Sequence, residues 1–342
     1  MAKPPTIRSL ARQLRLSVAT VSEALRDSER VANATRVRVK RAAEQAGYRA
    51  NPLLGAALSA VRRSRHQHYR GTLALVDTDE DGKAKLMLFH REIAAGAEAR
   101  AQELGFHTEL FWLGDRAPGL SHPRLAQILN ARGITGVVLL PFNTAQNLSD
   151  FDFSRVAAVQ MDHCLEQPRL HTILPDHYVS MIHALERLTQ LGYQRIGLCM
   201  EQRKDARLKS KWSAAFLTFF RTYARDTGIP ALIEPKQLDR ARFLSWFRHY
   251  QPDLVVGHVQ EMVKWLVADG VRVPADVGFF NLNVTERTSP CAGLDLEPSR
   301  LGAAAVETVV AMLHRQERGV PAYPQTITLE ATWVDGPTLR KS

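Results

Sequence analysis

Near the amino terminus, hydroxyls, guanidinium groups and one carboxylate recur at spacings that suit contact with a nucleic acid. Ser17, Thr20 and Ser22 supply hydroxyls, Arg8, Arg12 and Arg26 supply guanidinium groups, and Glu23 supplies the carboxylate. Hydroxyls and guanidinium groups bind phosphate oxygens, and a carboxylate can accept from the amino group of cytosine. Such contacts need a rigid carrier, and the apolar residues between them provide one. Thr6 can cap a helix whose Ile7, Leu10, Ala11 and Leu14 fall at i, i+3, i+4 and i+7, one apolar face. Ser17 caps a second helix, with Leu16 and Val21 placed as a hydrophobic staple and Leu25 continuing the buried face. The linker at residues 15–17 admits only a sharp helix–turn–helix. The second helix of such a unit has the dimensions of a DNA major groove, so its first residues can meet base edges while the caps and arginines hold phosphates.

A third helix is expected over residues 30–48, with Val39, Ala42, Ala43 and Ala46 inward and Gly47 as the stop signal. Taken together, Thr6-Ile7, Ser17, Thr20-Val21-Ser22, Val31, Thr35-Arg36, Val39, Gly47-Tyr48 and Asn51-Pro52 resemble the head of the lactose-repressor/galactose-repressor family of bacterial transcription regulators, without a gap over residues 6–52. The resemblance implies that Val18, Ala19 and Glu23 face the bases. None of the three is Arg, Lys, Asn or Gln, so the bidentate reading of guanine or adenine has no donor there. Val18 and Ala19 suit a thymine methyl; Glu23 either accepts from cytosine or pairs with Arg26 and reads nothing. Thr6, Ser17, Thr20, Ser22, Arg26, Arg30, Thr35, Arg36 and Asn51 complete the expected DNA contacts. The resemblance also makes residues 51–61 a hinge helix that orders on DNA and wedges a leucine into the minor groove. Gly55 weakens that helix by about 1 kcal/mol relative to alanine. The family's wedge lies nine residues after the tyrosine, which here is Ala57, so either the helix is offset or the wedge is Leu54 or Leu58.

Charge separates the two parts of the chain. Residues 1–70 hold 15 Lys and Arg against four Asp and Glu, a charge of +11, while the remaining 30 basic and 31 acidic residues leave −1. A basic, helix-patterned head on a neutral body is a nucleic-acid footprint, and a membrane-surface helix would need a Trp- or Phe-rich face that the head lacks. The three cysteines, Cys164, Cys199 and Cys291, form no metal-spaced pair and read as free thiols of a reducing cytoplasm. No apolar signal core or membrane span is present in the sequence, so a soluble cytoplasmic protein without a membrane partner is expected.

From Gly71 the pattern turns to alternating strands and helices. Strands are expected at 72–76, 108–112, 136–140, 156–161, 195–199, 232–233, 254–256, 277–281 and 325–329. Helices are expected at 89–104, 123–132, 178–191, 212–226, 242–249, 259–269 and 300–318. Repeated βα units imply parallel sheets covered on both faces. The segments Leu188…Gly192-Tyr193-Gln194-Arg195-Ile196 and Val273-Pro274-Ala275-Asp276-Val277-Gly278 resemble the same family's regulatory core, which is similar to the periplasmic sugar-binding fold. The expected fold class is an all-α helix–turn–helix head followed by an α/β body of two parallel-sheet subdomains, periplasmic-binding-protein-like. The expected boundaries are 1–50 for the head, 51–70 for hinge and linker, and 71–342 for the core. Within the core, 71–165 would join 291–320, and 166–290 would join 321–336.

The body has no dinucleotide-binding or phosphate-loop glycine motif, no Gly-x-Ser-x-Gly elbow and no His-Glu-x-x-His. No metal, cofactor or catalytic residue is therefore expected, and an enzyme tethered to DNA is the weaker reading. Ligands of open α/β sheets sit outside the carboxyl ends of the strands. That rule nominates Asp77, Phe142, Asp162, His258 and Asn283 as effector contacts, and the family resemblance adds Phe89 and either Arg207 or Lys209. The family's usual Asn-x-Asp and Gly-Phe-Asp are replaced by His258-Val259-Gln260 and Phe280-Asn281-Leu282-Asn283, so its sugar-binding pattern does not transfer whole. The expected function is a transcriptional regulator, by default a repressor, that binds a palindromic double-stranded operator as a homodimer. A small-molecule effector, with sugars among the candidates, would control it.

DNA affinity should fall steeply with salt, each neutralised phosphate adding about 0.9 to the slope of log K against log salt. A filter-binding series on the full chain and on residues 71–342 checks this. Equal binding by the two would remove the head from the interface.

Overall fold

The computed structural model describes residues 7–25, 31–46, 71–78, 88–114, 119–142, 144–222, 228–286 and 289–340. They fall into two compact units, one within residues 1–68 and one within 69–342.

The head holds three helices: α1 (Ile7–Leu14), α2 (Val18–Leu25) and α3 (Asn33–Gln45). Ser17 is the cap of α2, its Oγ accepting from the Thr20 N–H at 3.0 Å. Arg15 takes a left-handed conformation, which turns the chain sharply between α1 and α2. Leu10, Ala11, Val21, Ala24, Val31, Val39, Ala42 and Ala43 form the core, with Leu16 and Leu25 packed against it. Arg38 of α3 donates to the Leu14 carbonyl at 3.0 Å, giving the end of α1 a partner for an otherwise unpaired oxygen. The helix expected over 30–48 is shorter than its pattern, beginning at Asn33 after Ala32, which makes no side-chain cap bond.

The first half of the body alternates strand and helix: β1 (Thr72–Thr78), α4 (Leu88–Glu103), β2 (His107–Leu113), α5 (His122–Ala131), β3 (Gly136–Leu139) and, past the two-residue β4 (Gln146–Asn147), β5 (Ala157–Met161). A short β6 (Leu165–Gln167) pairs with β4, and β7 (His171–Pro175) follows. The second half contains α6 (His177–Gln190), β8 (Ile196–Glu201), α7 (Gln202–Arg207), α8 (Lys211–Thr222), β9 (Leu232–Glu234) and α9 (Arg240–Tyr250). It continues through β10 (Leu254–Gly257), α10 (Glu261–Ala268), β11 (Gly278–Asn281) and β12 (Ala292–Asp295). The chain then runs through α11 (Pro298–Arg315), β13 (Thr326–Leu329) and β14 (Thr332–Val334).

Two six-stranded sheets result, in the orders β13-β7-β5-β3-β1-β2 and β14-β12-β11-β10-β8-β9. The first is parallel throughout, and in the second only β14 runs antiparallel. Helices α4 and α11 cover one face of the first sheet and α5 the other. In the second sheet, α6 and α8 cover one face, α9 and α10 the other. Strands buried on both faces account for the continuous apolar runs at β1, β3 and β10.

Subdomain membership differs from the sequence expectation. Strand β7 lies beyond residue 165 yet pairs with β5 in the first sheet. Strand β12 falls within 291–320 but pairs with β11 in the second. Of 321–336, β13 joins the first sheet and only β14 the second. Strand β13 falls within the strand expected at 325–329, whereas β7, β12 and β14 are only three to five residues long and do not read as strands locally. Their partners in the sheets make them so. Cys164, Cys199 and Cys291 are buried, and burial pushes the Cys164 and Cys199 thiols well above the usual range. Among the described residues, no helix is long and apolar enough to cross a membrane, and no His/Cys/Asp/Glu cluster could hold a metal ion.

Helices α4 and α11 are brought together by two glycines. A Cβ on Gly302 would stand 2.0 Å from the Ile93 carbonyl oxygen, and one on Gly96 2.1 Å from that of Ser299. Backbone atoms cannot step aside as a side chain can, so Gly302→Ala should force the helices apart and lower stability by about 1–3 kcal/mol or more. The denaturant midpoint measures this. An unchanged midpoint would mean that the helices are not in contact there.

Candidate DNA-binding head and effector cleft

On the head, Ser17 is exposed and its Oγ lies 2.8 Å from the Thr20 hydroxyl. Val18 is 44% exposed and Glu23 half-buried. At 100° per residue Glu23 falls on the side of α2 away from the buried Val21 and Ala24, while Val18, one turn before Val21, lies at the edge of the buried face. Thr35 and Arg36, both half-buried, lie in the first turn of α3. The expected contacts Thr6, Arg26, Arg30, Asn51, Leu54 and Leu58 lie outside the described residues. Ala19 and Ser22 are described only as part of the α2 backbone.

In the body, strand ends of both sheets meet around a cavity of about 380 Å³. The first sheet contributes Pro141 after β3, Met161 and Asp162 at the end of β5, and Pro175 of β7. The second contributes Glu201 of β8, His258 after β10, Leu282 and Asn283 after β11, and Leu296 after β12. Phe89 and His90 of α4, Arg203, Lys204 and Arg207 of α7, and Trp212 of α8 complete much of the wall. Its size is that of a small-molecule site.

Asp162 sits in a left-handed turn, 6% exposed, with Oδ2 3.6 Å from Arg207 Nη1. Its Oδ1 is buried with no hydrogen-bond partner among the described residues. The same is true of both ring nitrogens of His177, which is 3% exposed and lies 4.7 Å from the Trp212 ring, centroid to centroid. His177 occupies the first turn of α6 because Asp176 caps that helix, accepting from the Val179 N–H at 3.1 Å. Glu201 accepts from the Leu238 N–H at 3.1 Å and meets His258 Nε2 at 3.4 Å, and these hold its carboxyl below the usual range, the His258 contact contributing most. Arg203 reaches across from the second sheet to the Thr144 hydroxyl at 3.3 Å.

Of the effector residues expected from sequence, Phe89, Asp162, Arg207, His258 and Asn283 line the cavity. Asp77, Phe142 and Lys209 do not. Asp77 is buried behind the wall, where Oδ2 lies 2.9 Å from His90 Nδ1 and Oδ1 accepts from the Thr78 N–H. It orients His90, which does line the cavity. Phe142 turns its ring into the core beneath the first sheet and leaves only its carbonyl, 3.5 Å from Arg207 Nη1. Lys209 occupies the left-handed turn between α7 and α8. The strand-end rule selects a loop but not the direction of each side chain, which explains these misses. Sequence reasoning passed over His90, His177, Glu201, Arg203, Lys204 and Trp212. Glu201 was open to the same rule, and the cation-dense run at 202–211 was a visible signal; nothing local marked His177.

Burial holds the His177 pKa down to about 4, from an ordinary value of 6.5. A lowered histidine pKa stabilises the native state fully above pH 6.5, and that stability is lost as pH falls towards 4. His177→Phe should therefore flatten the acid limb of the stability profile by about 3 kcal/mol between those values. Denaturant melts at each pH test this, and an identical limb in both proteins would mean the ring titrates normally.

Family models match this chain in two places. Bacterial regulatory proteins, lacI family, covers residues 6–51, and the periplasmic binding protein-like domain covers 185–339. The HTH-type transcriptional regulator CelR of Thermobifida fusca is 27% identical over 305 residues, covering 84% of this chain and 85% of the relative. The HTH-type transcriptional repressor CytR of Escherichia coli is 25% identical over 311 residues, covering 83% and 82%. Among solved structures, the CelR–cellobiose complex superposes with a TM-score of 0.57 at 20% identity, over 98% of this chain and 99% of that one. The lac repressor dimer bound to operator and the anti-inducer ONPF gives 0.55 at 18%, over 99% and 100%. The fold is thus that of these regulators. With a head that matches the lacI family of bacterial regulatory proteins and a body that matches a periplasmic binding protein-like domain, the chain is a DNA-binding transcriptional regulator.

Proposed function

We propose that this regulator is a homodimeric repressor of the cytoplasm, and that a small polyhydroxylated effector in the cleft between the two sheets sets its grip on a palindromic operator. The head would be residues 1–50, the hinge 51–70 and the core 71–342. The observation that carries the effector half is the pairing of the buried Asp162 with the half-buried Arg207, with Asp162 Oδ1 and both His177 ring nitrogens lacking a partner among the described residues. A buried polar atom without a partner costs about 1–3 kcal/mol, and a ligand hydroxyl, which donates and accepts, relieves that cost. Phe89, Asp162, Arg207, His258 and Asn283 are the effector residues of this reading. Two relatives support it by kind: CelR has been solved with cellobiose, and the lac repressor as a dimer on its operator.

Because the cleft is walled by both sheets, a ligand filling it ties them together. It can bias the regulator only by binding one arrangement of the sheets more tightly than another. On the DNA side, Val18, Ala19 and Glu23 are the base-facing residues, and Thr6, Ser17, Thr20, Ser22, Arg26, Arg30, Thr35, Arg36 and Asn51 hold the backbone. Leu54 or Leu58 is the wedge.

Genomic fragments selected by the full chain should share a two-fold symmetric sequence, and asymmetric sites would remove the dimeric reading. In a base-preference profile, Glu23→Ala should relax discrimination at one symmetry-related pair of cytosines by roughly 1–3 kcal/mol. Uniformly tighter binding with an unchanged profile would show that Glu23 only repels phosphate.

A further inference from the structure

The wall contributed by α7 differs in charge from the rest of the cavity. Residues 203–211 contain Arg203, Lys204, Arg207, Lys209 and Lys211 against a single carboxylate, Asp205. Asp205 is buried and already engaged by the Ser213 hydroxyl and N–H. Arg203, Lys204 and Arg207 line the cavity, and so do two carboxylates, Asp162 and Glu201. Asp162 faces Arg207, and Glu201 is taken by His258 and the Leu238 N–H. Among the described residues, the Arg203 side chain meets no carboxylate within 4.0 Å, its bond being to the neutral Thr144 hydroxyl, and the Lys204 side chain makes no hydrogen bond or ion pair.

These two cations stand where the cavity meets a second one. Arg203, Lys204, Glu201 and His258 also line a neighbouring space of about 700 Å³, whose further wall includes Lys236 and Trp265. A ligand seated on Asp162 and His177 in the first cavity therefore has room to extend past Arg203 and Lys204. The deep end asks for hydroxyls, since Asp162 Oδ1 needs a donor and the His177 ring offers one donor and one acceptor. The outer end asks for negative charge, since Arg203 and Lys204 are exposed cations that meet no carboxylate among the described residues, and charge-assisted hydrogen bonds to an anion are the strong ones.

We infer, on the reading that the cleft is the effector site, that the effector is a polyol carrying an anionic group, a phosphomonoester or a carboxylate, with its hydroxyls on Asp162 and His177 and its anion on Arg203 and Lys204. Three cations against two carboxylates leave an excess of one positive charge, which either anion answers.

Tryptophan emission offers a readout confined to the body, because all five tryptophans lie between Trp112 and Trp333 and the basic head has none. The full chain is titrated at fixed ionic strength with glucose, glucose 6-phosphate, gluconate and inorganic phosphate. The phosphorylated or the carboxylated polyol should bind at least about tenfold more tightly than glucose, the worth of one charge-assisted hydrogen bond. Which of the two does so identifies the anion. The double variant Arg203→Gln with Lys204→Gln should lose that preference, while Lys209→Gln with Lys211→Gln, cations of the same run outside the cavity wall, should keep it. Glucose binding as tightly as the anions, or a preference that survives the first double variant, overturns the inference and leaves the effector cleft standing. Binding by none of the four probes overturns the inference and the cleft reading together.

Discussion

A parallel strand can return to its own sheet only through a crossover, so every strand of a parallel sheet ends on the same edge. The first sheet obeys this constraint throughout and the second in every strand but β14, and their carboxyl edges face each other across one cavity. Asp162, Glu201, His258 and Asn283 come from four strands in two sheets, yet each lies at or just past a strand end. Among the described residues the chain passes between the sheets three times: from β7 to β8, from β12 to the first sheet's α11, and from β13 to β14. The cleft is thus bounded by rigid elements and joined by short connections, which suits a site whose occupancy must be felt by both halves.

Inside that cleft the polar groups divide into those that are satisfied and those that wait. Asp77 and His90 satisfy each other, Glu201 is held by His258 and a backbone N–H, and Asp205 by Ser213. Asp162 Oδ1 and the two His177 ring nitrogens have no partner among the described residues. A fold that buries such groups carries a local cost in stability, and binding sites are where that cost is commonly found. The ring of Trp212 against His177 keeps the imidazole in place and dry, so it stays neutral and can both donate and accept.

The charge distribution assigns different physics to the two units. The +11 of residues 1–70 acts on a polyanion over distances set by salt, and its targets are phosphates of any sequence. The body is close to neutral overall, and three cations of one short helix, Arg203, Lys204 and Arg207, line the cavity. On the proposed reading base discrimination rests on α2, where Val18, Ala19 and Glu23 offer methyl groups and one carboxylate in place of the usual amides and guanidinium groups.

The head was legible in sequence because its determinants are local. A Ser17 cap bonds three residues away, the apolar face repeats within eight residues, and net charge is a count. The alternation of strands and helices was legible for the same reason, down to the ends of β1, β5 and β10 within a residue or two. Sheet membership was not. Strands β7, β12 and β14 are short and weakly apolar, and they exist because neighbours distant in sequence complete their hydrogen bonds. Nor could side-chain direction be read at strand ends, where a rotation of one residue separates Asp77, turned onto His90, from a wall residue. His177 becomes a site residue only when Trp212 and Asp162 arrive from elsewhere in the chain. Sequence by itself determined what kind of molecule this is, through periodicities and charges that need no partner. Tertiary structure alone decided which buried polar atoms would be left for a ligand, because satisfaction of a hydrogen bond is a property of a neighbourhood and not of a residue.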